Sequence, residues 1–118
     1  MFRFPHLAAL AGRAPIGGAR EVALASFVVA RLVAERIGAM DDDPPPRAAR
    51  YVAAKGWLGT LALPQAVRNA AARCAELSVD GDRGEISREI RSLVLAASGF
   101  LDNKSRGELD ALARSLED

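Results

Sequence analysis

Three side chains able to act as a nucleophile or a general base occur once each in the sequence: His6, Tyr51 and Cys74. They lie far apart in the chain, and Cys74 is centred in a stretch whose apolar residues recur at the spacing of one helix face. Burial in apolar surroundings raises the pKa of a thiol and makes it unreactive. We therefore expect Cys74 to be a core residue and the chain to be non-enzymatic, without catalytic residues.

The segment from Gly12 to Ala19 has the glycine spacing of a phosphate-binding loop. However, Gly18 stands where such a loop needs a lysine to reach the phosphates, and Ala19 stands where it needs a hydroxyl to hold magnesium. The sequence therefore predicts a plain connection between helices, with no cofactor bound. It leaves open whether an anion binds the backbone N–H groups near Gly17 and Gly18, assisted by Arg20.

Two acidic segments resemble metal sites only in part. Asp80 and Asp82 match the first and third positions of a calcium-binding loop, but Arg91 occupies the twelfth position, where that loop needs a bidentate glutamate. The run of three aspartates at 41–43 precedes three prolines, which is typical of a solvated linker between helices. We expect no metal site in the chain.

One part of the sequence mixes basic and aromatic residues, the combination that can hold phosphates and stack on bases. Its members are Arg47, Arg50, Tyr51, Lys55 and Trp57. We interpret the two aromatic residues of the cluster, Tyr51 and Trp57, as rings that pack within the protein. It also supports an alternative function, a nucleic-acid-associated regulatory protein that uses the three basic side chains and the tryptophan.

Composition sets the class of protein in which any such site must be built. Half of the 118 residues are hydrophobic, and alanine and leucine together far outnumber valine and isoleucine, which favours an all-α fold in a single domain spanning 1–118. The net charge of +1 creates no long-range field that would draw the chain to DNA or to an anionic membrane. No apolar run is long enough to cross a bilayer, and we expect no membrane association.

The cysteine, arginine and alanine contents indicate the cellular compartment of the protein and the kind of genome that encodes it. A single cysteine cannot form an internal disulfide, so we expect a cytoplasmic protein. Arginine is far more frequent than lysine, and alanine is the commonest residue, a combination that we interpret as the mark of a GC-rich bacterial genome.

Turn and cap signals divide the chain into five or six short helices with one long central helix at about 19–37. The other predicted helices begin at Pro5, at Pro46, near Pro64, after Asp82 and at Ser105. The helix at 19–37 is predicted to end at Gly38, whose missing Cβ suits a left-handed backbone. The last helix is predicted to begin with a capping box formed by Ser105 and Glu108.

The helix at 19–37 is apolar on two sides, which is more apolar surface than the single core of a 118-residue chain is expected to cover. One side carries Val22, Ala23, Ser26, Val29, Ala30, Val33 and Ile37. The other carries Leu24, Val28 and Leu32, and Leu95 lies off the apolar face of a later helix. Uncovered apolar surface usually marks an interface. We therefore predict a protein interface at Leu24, Val28, Leu32 and Leu95, in a compact helical interaction module that binds itself, as a homo-oligomer, or another protein.

Overall fold

The computed structural model describes residues 3–14, 17–38 and 47–117, together with the side chains of all of these except 47–52. The described residues form six α-helices and no β-strand, which confirms the all-α prediction. The helices are α1 (Pro5–Arg13), α2 (Ala19–Arg36), α3 (Arg47–Leu58), α4 (Gln65–Asp80), α5 (Arg83–Ala97) and α6 (Asn103–Glu117). The predicted linker at 41–46 lies outside the described residues.

Helix α2 packs against each of the other five helices. It has 18 residues and α4 has 16, so the prediction of one outstandingly long helix is not confirmed. The helix ends at Arg36, and Gly38 follows with a φ of +71°. Only glycine adopts that backbone conformation without strain, so the predicted role of Gly38 as the helix terminator is confirmed.

The core forms around the side of α2 that the sequence assigns to it. Six of the seven residues predicted for that side are fully buried, and Ile37 is half-buried. Large aliphatic side chains from four other helices meet them: Leu7, Val67, Ile86, Ile90, Leu93, Leu109 and Leu112. The radius of gyration is 12.7 Å, close to the value of about 13 Å expected for a folded chain of this length.

The predicted capping box at Ser105 and Glu108 is wrong. Helix α6 begins at Asn103, and Asp102 is the residue that caps it, because its Oδ1 accepts the backbone N–H of Ser105 at 2.8 Å. The Glu108 carboxylate instead accepts the backbone N–H groups of His6 at 3.0 Å and Leu7 at 2.8 Å, at the start of α1. Phe4, the residue that precedes α1, has no side-chain oxygen to accept the free N–H groups of the first turn of α1. A carboxylate of α6 accepts them instead.

Helices α5 and α6 are joined at their ends. Asp82 caps α5 as expected, since its carboxylate accepts the backbone N–H groups of Gly84 at 3.1 Å and Glu85 at 3.3 Å. The next residue, Arg83, donates to the carbonyl of Ser115 at 3.0 Å, in the last turn of α6. A cation at this position also interacts favourably with the helix dipole. The start of α5 is thereby fixed to the end of α6.

Asp102 provides a test of the corrected cap. Its pKa lies below the ordinary value of 3.8 chiefly because its carboxylate accepts the backbone N–H of Ser105 at 2.8 Å, and the guanidinium of Arg13, at 3.2 Å, lowers it further. We expect Asp102→Ala to lower the free energy of unfolding by about 1 kcal/mol. Asp102→Asn keeps the capping oxygen and should cost less. Urea titration followed by circular dichroism measures both, and equal losses would contradict the capping role.

The same carboxylate gives a pH dependence with a defined sign. Because the folded-state pKa of Asp102 is lowered, its contribution to stability is present above the unfolded pKa and is lost as the pH falls below it. We expect the stability of the wild type to fall more steeply than that of Asp102→Asn between about pH 5 and about pH 2. Parallel curves would show that the ionised form contributes nothing.

Gly81, which follows α4, tests the packing of the α4–α5 turn. A Cβ on Gly81 would lie 2.6 Å from the carbonyl oxygen of Leu77 and 2.7 Å from its Cβ, so the backbone must shift to admit one. We expect Gly81→Ala to lower the free energy of unfolding by roughly 1–3 kcal/mol. Gly107→Ala is the control, since its Cβ meets nothing within 4 Å inside α6. That variant should gain about 0.5–1 kcal/mol, and a gain for both would contradict the close approach.

Candidate protein-binding groove

An apolar groove lies between α2 and α3, with a volume of about 350 Å³. Residues one helical turn apart on each helix line it, so a single face of α2 opposes a single face of α3. The lining residues are Phe27, Val28, Arg31, Leu32, Glu35, Ala53, Ala54 and Trp57. Most of this surface is aliphatic or aromatic, which is typical of sites that bind an apolar group.

The floor and the walls of the groove differ in exposure. Leu32 and Ala54 are nearly covered within the chain, each 7% exposed, and form the floor. Phe27, Val28 and Trp57 are half-buried and form the walls. The exposed parts of the three wall side chains are therefore the surface that the groove offers to another molecule.

The Phe27 ring is held in place by two contacts. It meets the ring of Phe4 edge-on, with ring centroids 6.5 Å apart and planes at 84°. The guanidinium carbon of Arg31 lies 5.9 Å from the centroid of Phe27, within the range of a cation–π contact. These contacts fix the position of the Phe27 ring, which forms one wall of the groove, and that of Arg31, one of the two charged residues that line it.

The two charged residues of the groove carry opposite signs. Arg31 and Glu35 are four residues apart on α2, so they lie on the same face one turn apart. Both are half-buried at the edge of the apolar surface. The groove therefore offers an apolar centre with one positive and one negative group along the α2 side.

The structure brings together two of the four residues predicted for an interface. Val28 and Leu32 line the groove, although Leu32 contributes mainly to its floor because it is nearly covered within the chain. Leu24 is half-buried on α2 and does not line the groove. Leu95 is 77% exposed on α5 and also lies outside it. The sequence did not predict that Phe27 and Trp57 would join Val28, because Trp57 lies on a different helix and its place in the groove depends on how α3 packs against α2.

The two members of the basic and aromatic cluster whose side chains are described, Lys55 and Trp57, lie on different sides of α3. Trp57 lines the α2–α3 groove, whereas Lys55 lines a smaller cavity of about 190 Å³ against α4, together with Arg68 and Glu76. Residues two apart on a helix point in nearly opposite directions. The side chains of Arg47 and Arg50 lie outside the described residues.

The groups near Gly17 that the sequence left open for an anion contact the chain itself. The backbone N–H of Gly17 donates to the Glu21 carboxylate at 3.0 Å. Arg20 donates to the carbonyl of Ala14 at 2.8 Å, beyond the end of α1. Glu21 therefore occupies the position that an anion would take on Gly17, and Arg20 caps the preceding turn.

Cys74 is fully buried on α4, as predicted. Desolvation, with a smaller contribution from the nearby Glu89, raises the pKa of its thiol to about 12, so the thiol is protonated at neutral pH. Within the described ranges, no three residues of the metal-ligating types His, Cys, Asp and Glu come together as a cation site. In the same ranges no helix has the length and apolar character needed to cross a membrane.

Comparison with known proteins provides no relative from which a function could be transferred. The chain matches no protein-family model, and searches of curated proteins and of solved structures find no similar protein.

Proposed function

We propose that this protein is a non-enzymatic helical interaction module that binds a protein through the α2–α3 groove. In this role it acts as a homodimer, or as a small subunit or adaptor in a larger bacterial assembly, in the cytoplasm. One observation carries the proposal: the half-buried side chains of Phe27, Val28 and Trp57 meet in one groove beside a pair of charges. Apolar surface of this kind releases water when a partner covers it.

The lining residues favour recognition of a helix. An amphipathic helix binds in a groove by placing one apolar face against it, and the groove runs between two helices. Tryptophan is enriched among the residues that contribute most to binding, because its large ring buries much apolar area with few rotatable bonds. Trp57 is the only tryptophan of the chain. We therefore assign the centre of the interface to Trp57, Val28 and Phe27.

The alternative function, nucleic-acid binding through Arg47, Arg50, Lys55 and Trp57, has weaker support. Stacking on a base requires an exposed face of the indole ring beside the cationic groups that hold the phosphates. Trp57 instead lines the groove with Val28 and Leu32, and Lys55 lines a different cavity. The two residues of the cluster whose side chains are described therefore do not form one surface.

Two substitutions in the groove test the proposed function. Val28→Glu places a charge on the apolar wall of the groove, where an apolar partner surface would bury it, and should weaken binding by roughly 2 kcal/mol or more. Ala53→Arg, at an exposed position of α3, should block the groove without burying a charge in the monomer. Leu95→Glu is the matched control, because it changes an exposed leucine outside the groove. Circular dichroism verifies that all three variants remain helical.

Binding is measured by light scattering of the purified protein and by retention of partner proteins from lysate of the source organism. We expect the wild type and Leu95→Glu to bind and the two groove variants to lose binding. Loss in Leu95→Glu with retention in Ala53→Arg would overturn the assignment to the groove. If the protein shifts the electrophoretic mobility of nucleic acid, the shift weakens with added salt and Val28→Glu still produces it, the result would favour the alternative function.

A further inference from the structure

We propose that the cavity between α3 and α4 binds a small carboxylate with a short aliphatic body, and that Arg68 holds the carboxylate group. The cavity has a volume of about 190 Å³ and lies on a different side of α3 from the groove. The two sites share no lining residue, so the test of this cavity is independent of the proposed function.

Arg68 is a cation that the fold positions without neutralising. It is half-buried on α4, and its Nη2 donates to the carbonyl of Leu61 at 2.7 Å, between α3 and α4. That bond orients the guanidinium but brings it no opposite charge, and no carboxylate of the described residues forms an ion pair with it. A guanidinium has five N–H donors in a flat fork that matches a carboxylate. Donors therefore remain for an anionic ligand in the cavity.

The floor of the cavity is apolar. Leu58 of α3 and Ala75 of α4 line it and are buried within the chain. Ala72 also lines it but is exposed, so its small side chain leaves the mouth open to solvent. Ligand sites typically have an apolar lining in which a few polar groups fix the orientation of the ligand. An aliphatic body on this floor would bring a terminal carboxylate to Arg68.

The volume limits the size of the ligand. A water molecule occupies about 30 Å³ of the liquid, so the cavity has room for about six of them. A carboxylate with about four to six carbons is of comparable size. Nucleotides are too large for this space, and a bare inorganic anion would leave the apolar floor in contact with water.

The other charged residues of the cavity agree with a carboxylate at Arg68. Glu76 lies about 12 Å further along the axis of α4, which places the negative charge at the opposite end of the cavity. A carboxylate at that end would meet a like charge, which is unfavourable. Lys55 lines the α3 side and adds positive charge, but it already has an interaction within the chain. The carboxylate is therefore assigned to Arg68 alone.

Sodium hexanoate is the probe, titrated into the intact nitrogen-15-labelled chain at constant ionic strength. We expect saturable shifts of the amide resonances of Gly59, Ala72 and Ala75, which line the cavity. Hexan-1-ol has the same aliphatic body without the charge. It should bind at least about tenfold more weakly, because a hydrogen bond between two charged groups is stronger than one to a neutral hydroxyl.

Three variants locate the site. Arg68→Gln removes the charge and should weaken hexanoate binding at least about tenfold. Ala72→Leu retains Arg68 but fills the mouth of the cavity, and leucine is a good helix former, so it should block binding in a folded chain. Arg88→Gln is the matched control, since it removes the same charge at an exposed position of α5 outside the cavity. Circular dichroism verifies that the variants remain helical.

Loss of binding in Arg68→Gln and Ala72→Leu, with retention in Arg88→Gln, supports the proposal. Equal binding of hexanoate and hexan-1-ol would overturn the role of Arg68. Shifts centred on Phe27 and Val28 would place the acid in the α2–α3 groove and overturn the site. Shifts that grow without saturation would show that the cavity binds no carboxylate of this size.

Discussion

Short helices leave many backbone groups unpaired at their ends, and side chains from neighbouring helices satisfy them in this fold. Glu108 of α6 accepts the first N–H groups of α1, and Arg83 of α5 donates to a carbonyl in the last turn of α6. Arg20 donates to the carbonyl of Ala14, just after α1. The bonds at Leu7 and Ala14 are partly buried, where a polar group without a partner costs free energy, and each of these bonds fixes a helix end relative to a neighbouring helix. Together with the apolar core around α2, these cross-links set how the ends of α1, α2, α5 and α6 meet.

The groove forms because the helices around α2 cover only part of its apolar surface. One side of α2 is buried by the core, and Val22, Val29 and Val33 have no exposed surface. The other side is also apolar, but in the described residues only part of it is covered, and Val28 and Phe27 remain half-buried where α3 packs alongside. A helix with two apolar sides in a chain of this size cannot bury both completely. Part of the uncovered remainder, at Phe27 and Val28, lies in the groove, whereas Leu24 is half-buried outside it.

Sequence reasoning succeeded where the signal was local. The core side of α2, the terminator Gly38, the buried Cys74 and the cap at Asp82 follow from helical spacing or from contacts between residues close in the chain. It failed where a side chain chose a distant partner: Glu108 has the spacing of a capping box, yet its carboxylate lies at α1, about one hundred residues earlier in sequence.

The groove itself was only partly predictable for the same reason. Val28 and Leu32 could be assigned to a second apolar side of α2, but the contribution of Trp57 depends on how α3 packs against that side. By contrast, the sequence alone implies that Trp57 and Lys55 point to different sides of α3, because they are two residues apart on a helix. Half-exposed ion pairs contribute little to affinity, about 0–1 kcal/mol each, so in the proposed interaction the aromatic and aliphatic walls of the groove supply most of the binding free energy. In that proposal the charges of α2 act on selectivity, since a mismatched charge beside an apolar contact costs more than a matched one contributes.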